Sequence, residues 1–365
     1  MSATADTPVD TSVDTFAARV FDASLAFADI IAIGLGDQLG WYDTLAQDGP
    51  MTPGELAAAT GADTRYAREW LEHQTVSGIV QVLDATQPAA DRRYTLPAGH
   101  AEVLTDRDSL AYLAPLARLF VSTGLQFDGL LEAYRAGGGV SWGRYGPLMR
   151  TGQADMNRPF FISELGSTWL PAVPDVHARL RSGGRVADVG CGEGWSAIGI
   201  AQAYPDVEVD GYDVDEPSIA AARRHAEDAG VADRVRFHCV DIATVDAGGY
   251  DLVAAFECIH DMPHPVEVLA AMRRLVADDG HVIVMDERVG ERFTGQPDDV
   301  ERLMYSFSIL VCLPDGRSRT PSAATGTVMR PDVLRGYAQQ AGFGDLEILP
   351  IDNDLWRFYR LSPTG

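Results

Sequence analysis

The chain of 365 residues lacks lysine altogether. Its 29 basic residues are all arginines, they stand against 53 acidic residues, and the net charge is -24. Such strong negative charge opposes binding to nucleic acids and to acidic membranes, because both present phosphate groups to a protein surface. We therefore expect neither a nucleic acid nor a membrane among its partners.

Cysteines are few, and long apolar runs are absent. The four cysteines, Cys191, Cys239, Cys258 and Cys312, are scattered and never form a Cys-x-x-Cys pair, which argues against a disulfide framework and a structural zinc site. No apolar run reaches the ~20 residues that a membrane-spanning helix needs. These absences predict a globular protein of the reducing cytoplasm, with enough residues for two domains.

One short segment carries the strongest functional signal. Residues 186–194 read Val-Ala-Asp-Val-Gly-Cys-Gly-Glu-Gly, in which a predicted strand enters three alternating glycines and a helix over 195–203 follows. Glycine permits this tight turn and lets a ligand approach the backbone. A dinucleotide site would read Gly-x-Gly-x-x-Gly and face a pyrophosphate. Here the third glycine comes one residue early, and Asp188 and Glu193 would repel a pyrophosphate. The segment favours S-adenosylmethionine (SAM), which has no phosphate.

The next predicted strands also end beside acidic residues. They are expected over 207–212 with Asp213, 234–240 with Asp241, 250–256 with Glu257, and 281–285 with Asp286 and Glu287. Helical patterns over 217–229 and 265–277 lie between strands, each opened by a proline. This alternation predicts a parallel, doubly wound α/β sheet with its site at the carboxyl ends of the strands. An acid at the tip of the second strand, here Asp213, is where this fold grips a ribose diol.

Taken together, these segments resemble the class I SAM-dependent methyltransferases over about residues 171–365. The predicted helix over 331–341 and strands over 346–351 and 355–361 fit the antiparallel hairpin that closes the seven-stranded, Rossmann-like sheet of that family. The resemblance implies SAM as the cofactor and a small molecule as the methyl acceptor. The residues that it places at the cofactor are Asp188, Gly190, Gly192, Asp213, Val214, Asp241, Ile242 and Phe256.

His260 is the candidate base. Methyl transfer is an in-line displacement at a sulfonium, and an acceptor that carries a proton must lose it. His260 follows the predicted strand over 250–256, and imidazole titrates near neutrality. Asp261, Asp286 or Glu287 could orient it, and we expect Asp261 and Glu287 to do so. The Glu-Cys-Ile-His-Asp segment resembles the O-methyltransferase motif whose His acts as base; a structural histidine is the alternative.

A bacterial branch of the family, which includes C-methyltransferases of α-keto acids, offers an alternative function. In that branch the His-Asp pair holds iron together with a later histidine that directly precedes Cys-Leu-Pro. Here Val311 occupies that position, before Cys312. A facial metal site would then need help from Cys312 or from the substrate, so we expect no metal.

Residues 16–109 predict a winged helix-turn-helix. An apolar helical pattern over 16–47, a capping box at 52–55 and a helix to about Ser77 precede two short strands. A DNA-reading surface should be basic, but residues 1–100 hold 14 acids and 5 arginines. We therefore expect a homodimer formed through the apolar first helices, a layout that resembles many small-molecule methyltransferases. A SAM-sensing transcription regulator, or a fold that binds SAM without transferring methyl, is the alternative.

The remaining segments are a tail and a connector. Residues 1–15 predict a disordered tail, and residues 110–170 predict a helical connector that roofs the acceptor pocket. In the connector we expect Met156, Arg158 and Phe161 to bind the acceptor, with a role in the core as the alternative. An arginine among apolar residues needs a carboxylate partner, which the acceptor, the cofactor or a nearby acid could supply.

Overall fold

The computed structural model describes residues 12–363, and the chain divides into two compact units between Val121 and Ser122, inside the predicted connector. No helix in that described range is both long and apolar enough to cross a membrane. The first unit contains an antiparallel pair of strands, β1 (Gln81–Val82) and β2 (Tyr94–Thr95). Its helices are α1 (Val13–Gln38), α2 (Trp41–Asp48), α3 (Pro53–Thr60), α4 (Thr64–Val76), α5 (Ala98–Thr105) and the first part of α6 (Ala114–Gly124).

The first unit has the expected order of helices followed by a wing. The predicted capping box opens α3: the Thr52 hydroxyl accepts from the Glu55 N–H, and the Glu55 carboxylate accepts from the Thr52 N–H. Gly61 ends α3 in the left-handed conformation, and the Asp63 side chain caps α4. The core of this unit is aromatic and aliphatic, and it includes Trp41, Tyr42, Leu45, Leu56, Trp70, Leu71 and Tyr94.

Helix α1 begins inside the segment predicted to be a disordered tail. The Ser12 hydroxyl accepts from the Thr15 N–H at 3.3 Å and caps the helix, so the helix starts at Val13. Residues 1–11 of the predicted tail lie outside the described residues. Large apolar side chains of α1 are solvent-exposed, among them Phe16, Val20, Phe21, Leu25 and Phe27.

The second unit is an α/β domain. Its strands are β3 (Gly184–Val189), β4 (Val207–Asp213), β5 (Val235–Cys239), β6 (Tyr250–Phe256), β7 (Val276–Glu287), β8 (Phe343–Ile348) and β9 (Trp356–Pro363). Its first helices are α7 (Phe127–Ala136), α8 (Trp142–Tyr145), α9 (Pro147–Ser163), α10 (Pro174–Arg181) and α11 (Trp195–Ala203). The later helices are α12 (Glu216–Asp228), α13 (Pro265–Leu275), α14 (Asp299–Phe307), α15 (Leu313–Gly316) and α16 (Pro331–Gln340). A π-helical turn, Ser308–Cys312, joins α14 to α15.

Seven strands of the described residues form one sheet in the order β5-β4-β3-β6-β7-β9-β8. β9 is antiparallel to β7 and β8, whereas the other neighbours are parallel. This confirms the predicted doubly wound α/β class and its closing hairpin. Because parallel strands end at the same edge of a sheet, the residues that follow β3, β4, β6 and β7 come together there.

Some boundaries differ from the prediction for local reasons. β7 begins at Val276 rather than at 281, since Val276 already pairs with Tyr250 on β6 across an irregularity in the register. The helix predicted over 265–277 ends at Leu275, because Val276 already belongs to β7. Neither difference moves a residue that follows the strands at the carboxyl edge.

Candidate active site

The glycine loop turns the chain from β3 into α11. Gly190, Gly192 and Gly194 have φ angles of 72°, 51° and 86°, a region that L side chains rarely adopt. A Cβ at Gly190 would lie 2.7 Å from Cys258 Sγ, whereas a Cβ at Gly192 would meet no described atom within 4 Å. The loop therefore packs closely against the segment after β6 and keeps an open backbone face at Gly192.

Asp188 is a buried carboxyl with one unused oxygen. It is 1% exposed, and its Oδ2 accepts a hydrogen bond from the Ser196 hydroxyl. Its Oδ1 has no hydrogen-bond partner within the described part of the chain. Burial raises the pKa of Asp188 to about 7. Such a group at a strand end suits a ligand that brings a hydrogen-bond donor, as the ammonium group of SAM would.

Asp213 joins the glycine loop to the end of β4. Its Oδ2 accepts from the Gly192 N–H at 2.9 Å, and its Oδ1 accepts from the Asp215 N–H at 2.8 Å. Asp215 is in turn held by Arg150 of α9, with Nε and Nη2 at 2.6 and 3.0 Å from its two oxygens. Helix α9 is thereby attached to the segment after β4, next to Asp213, the residue predicted to bind the ribose.

The remaining predicted cofactor residues differ in exposure. Ile242 and Phe256 are buried, and Val214 is 54% exposed. Asp241 is exposed, and its Oδ1 accepts from the Ala243 N–H at 2.9 Å, which caps a short 3₁₀ turn. Asp241 and Val214 follow neighbouring strands, β5 and β4, at the carboxyl edge, where a ligand bound over the glycine loop could reach them.

His260 lies between two carboxyl groups. It is 3% exposed, its Nδ1 is 2.9 Å from Asp286 Oδ1, and its Nε2 is 3.3 Å from Asp261 Oδ1. Burial lowers the pKa of His260, but the charges of Asp261 and Asp286 outweigh it and hold that pKa well above its usual value. Asp261 thus lies where it was expected, whereas Asp286, and not the expected Glu287, makes the hydrogen bond that orients the ring.

Glu287 faces a second acid instead. Burial, followed by the charge of Glu257, raises the pKa of Glu287 well above its usual value. Burial also raises the pKa of Glu257, whose Oε2 accepts from the Asn157 amide and, at 3.5 Å, from the Gln153 amide. Glu257 follows β6 with a φ of 56°, a backbone strain often found at functional sites. Burial disfavours the ionised form of both carboxyls, and we refer to Glu257 and Glu287 as the carboxyl pair.

The π-helical turn adds a thiol beside His260. One ligand atom from each of His260, Asp261 and Cys312 lies within 4.8 Å of the others, so the three could hold a metal ion. Burial raises the pKa of the Cys312 thiol to about 12, so the thiol is neutral unless a cation binds. Val311, which stands where the resembling branch has its histidine, is buried.

The predicted acceptor residues all lie on α9 and have different surroundings. The Arg158 guanidinium lies 4.9 Å from the ring centroid of Trp195, the first residue of α11. Phe161 is buried, with its ring 5.7 Å from that of Phe256, and Met156 is half-buried. Phe161 thus contributes to the core beside a predicted cofactor residue, which was the alternative considered for it.

Sequence reasoning did not assign three polar residues of α9 that reach the site. Arg150, Gln153 and Asn157 contact Asp215 or Glu257. They are separated by three and four residues, so they lie on one face of the helix. That spacing is the signal in the sequence that could have identified them.

Two family models match the chain. A model described as a methyltransferase domain matches residues 180–313, and one described as an Rv2258c-like winged HTH domain matches residues 26–106. A ubiquinone biosynthesis O-methyltransferase of Pseudomonas aeruginosa is 34% identical over 209 residues, which cover 55% of this chain and 80% of the relative. The chain belongs to the class I SAM-dependent methyltransferases. Its winged helix-turn-helix domain precedes the methyltransferase domain.

Other relatives match the chain over shorter segments. A 27-O-demethylrifamycin SV methyltransferase of Amycolatopsis mediterranei is 35% identical over 127 residues, 34% of this chain and 46% of the relative. The ubiquinone biosynthesis O-methyltransferase of Acinetobacter baylyi is 35% identical over 124 residues, 33% of this chain and 49% of the relative. The chain thus spans about half of the length of several curated relatives that it matches.

Solved structures share the fold of this chain over nearly its whole length. The mitomycin 7-O-methyltransferase has a TM-score of 0.71 at 20% identity and covers 96% of this chain and 98% of its own. Human N-acetylserotonin methyltransferase in complex with SAM has a TM-score of 0.71 at 16% identity, with coverage of 98% and 100%. At such identities the likeness shows the fold.

The surroundings of two histidines predict that the pKa of His260 is higher than the pKa of His281. His260 should remain protonated above neutral pH, whereas His281, whose pKa burial lowers, should titrate below its usual value. Asp286→Asn should lower the pKa of His260 by about one to three pH units, because it removes an adjacent charge, and should leave His281 unchanged. Histidine ring NMR shifts across pH measure both; a His260 that titrates with or below His281 would contradict the assignment.

Proposed function

We propose that the protein transfers the methyl group of SAM to a small-molecule acceptor, with His260 as the base. The observation that carries this proposal is the junction between β3 and the segment after β6. The Cys258 thiol donates to the Val189 carbonyl at 3.2 Å, directly before the glycine loop. The glycine loop therefore lies beside the segment that leads to His260, two residues after Cys258, which supports the proposal.

The residues at the carboxyl edge fit SAM. Asp213 would accept from the ribose hydroxyls, Asp188 Oδ1 would accept from the ammonium group, and the open face at Gly192 would admit the methionine part. Val214, Asp241, Ile242 and Phe256 would enclose the adenine. When bound, SAM supplies an electrophilic methyl group on a sulfonium, and the remaining chemistry is orientation and removal of a proton.

His260 would take that proton at Nε2. Asp286 accepts from Nδ1–H and so leaves Nε2 as the basic atom, and Asp261 stabilises the imidazolium that forms. Because the pKa of His260 is raised, the neutral form required for catalysis increases as the pH rises. Arg158 and Met156, on the same helix as Asn157, would contact the acceptor, and Phe161 would support them from the core.

The cofactor assignment is tested with S-adenosylhomocysteine (SAH), the product that remains after methyl transfer. Calorimetry should show binding to the wild type, and Asp213→Ala should weaken it by roughly ten- to hundredfold, the value of a charge-assisted hydrogen bond. Asp246→Ala removes an exposed acid after β5 and should change nothing. Absence of SAH binding to the wild type would overturn the proposed function.

The base assignment is tested by kinetics with a labelled methyl donor and an acceptor identified from a panel. His260→Gln should lower kcat by roughly 10²–10⁴-fold, the usual contribution of a general base, while SAH affinity stays unchanged. The wild-type rate should rise with pH through the raised pKa of His260, and Asp286→Asn should move that rise to lower pH. A flat profile that survives His260→Gln would exclude His260 as the base.

A second candidate function is metal-assisted methyl transfer to a carbon of an α-keto acid. It is favoured by the grouping of His260, Asp261 and Cys312, whose ligand atoms lie within 4.8 Å of one another. Cys312 would there take the place of the histidine that Val311 replaces. Iron that remains bound in stoichiometric amount after purification would favour this candidate over base catalysis.

We further propose that the protein is a cytoplasmic homodimer that acts in secondary metabolism, as the mitomycin and rifamycin methyltransferases among its relatives suggest by name. The four cysteines are unpaired in the structure, as in reduced proteins. The exposed apolar side chains of α1 would form the dimer contact, because contiguous exposed apolar surface marks sites of association.

The dimer proposal predicts the effect of charge on α1. Phe21→Glu combined with Leu25→Glu should convert the dimer into a monomer, because each buried charge at an interface costs several kcal/mol. Leu83→Glu, an exposed apolar residue near β1, is the control and should leave the dimer intact. Light scattering after size-exclusion chromatography gives the mass; a wild-type monomer at micromolar concentration would contradict the proposal.

A further inference from the structure

The carboxyl pair of Glu257 and Glu287 is not used by the proposed methyl transfer. The side chains come from neighbouring parallel strands, since Glu257 follows β6 and Glu287 ends β7. Helix α9 holds Glu257 from the other side, through the amides of Asn157 and Gln153. The pair therefore lies between the strand ends that carry His260 and the helix on which the acceptor residues were predicted.

The pair retains unused hydrogen-bonding capacity. Glu287 is 4% exposed, and within residues 12–363 its Oε2 has no hydrogen-bond partner. The Trp356 indole N–H is close enough to lower the pKa of Glu257 but makes no well-aligned hydrogen bond. Glu257 is only partly buried, so a ligand can reach the pair. A buried acceptor atom without a donor indicates a site that a ligand completes.

The charge balance decides which ligand would complete it. His260 lowers the pKa of both glutamates, but Asp286 and Asp261 already face that imidazolium. The pair thus has no cation of its own among the hydrogen bonds that hold it. The amides of Asn157 and Gln153 donate hydrogen bonds without neutralising it. A buried carboxylate of this kind favours a cationic partner and repels an anionic one.

We propose that Glu257 and Glu287 recognise a basic nitrogen on the methyl acceptor, so that the substrates are small molecules that carry an ammonium group. The inference rests on the proposed function. On binding, the ammonium N–H groups donate to both carboxylates, and a carboxyl that is protonated in the free protein releases its proton to solvent. The net charge of -24 also raises the local concentration of cations over anions.

The test uses three phenols that share a two-carbon para side chain and differ in the terminal group and its charge. Tyramine carries an ammonium group, para-ethylphenol is neutral, and para-hydroxyphenylpropionate carries a carboxylate. Calorimetry with SAH-loaded protein should show the affinity order tyramine, para-ethylphenol, para-hydroxyphenylpropionate, with successive steps of roughly tenfold or more. Repeated in buffers of different ionisation enthalpy, tyramine binding alone should release protons. Binding of the carboxylate as tight as that of tyramine, or binding of none of the three, would overturn the proposal.

Isosteric variants test whether Glu257 and Glu287 cause the preference for tyramine. Glu257→Gln and Glu287→Gln should each reduce tyramine affinity by roughly ten- to hundredfold, abolish proton release, and leave para-ethylphenol and SAH affinities unchanged. Glu267→Gln, on the exposed first turn of α13, is the matched control. Retention of the tyramine preference in both variants contradicts the proposal. If circular dichroism shows that a variant is unfolded, the affinity order and the proton release of the wild type decide whether the proposal holds.

A comparison of SAM with SAH separates this proposal from a role toward the cofactor. SAM carries the sulfonium charge and SAH does not. Glu257→Gln should therefore leave the affinities for SAM and for SAH unchanged if the pair faces the acceptor. A selective loss of SAM affinity would mean that the pair faces the sulfonium and would overturn acceptor recognition. Failure of the wild type to bind SAH is a separate result, which counts against the proposed function itself.

Discussion

Parallel pairing of β3 with β4 and β6 is the constraint on which the candidate site depends. On one side, the Gly192 N–H donates to Asp213 at 2.9 Å; on the other, the Cys258 thiol donates to the Val189 carbonyl at 3.2 Å. The glycine loop is thus joined to both neighbouring strand ends. Neither hydrogen bond can form unless the strands end at the same edge of the sheet, which is the geometry that parallel strands impose. The residues that we assign to the cofactor and the base are positioned by this edge.

Four acids of the site form two groups with different electrostatic surroundings. Asp286 and Asp261 face one imidazole, and the raised pKa of His260 shows that their charges outweigh the cost of its burial. Glu257 and Glu287 face each other, and both of their pKa values rise. Burial therefore disfavours the ionised form of this pair, whereas the neighbouring carboxylates favour the ionised form of His260. Two acids that are adjacent in sequence, Asp286 and Glu287, therefore serve different partners.

Short-range patterns predicted most of the fold. Apolar strands punctuated by glycine and proline located β3, β4 and β6, and the capping box located α3, because these signals act over a few residues. The prediction of a disordered tail over residues 1–15 was wrong from Val13 onward, where the Ser12 side chain caps helix α1. Candidate ligands such as Asp188 and Asp213 could be named because each ends a strand, and parallel strands share an edge. Arg150, Gln153 and Asn157 went unassigned because a helix pattern does not say which face meets the sheet.

The sequence by itself determined the α/β class, the glycine loop and the family, since all three follow from local motifs and their order along the chain. Only the tertiary structure decided which acid orients His260. Successive side chains of a strand point to opposite faces, so one residue of register exchanges Asp286 for Glu287. Pairing of Met285 with Phe256 on β6 and with Phe358 on β9 sets that register. The contact of Asn157 with Glu257 arises in the same way, because packing brings together residues that are 100 positions apart.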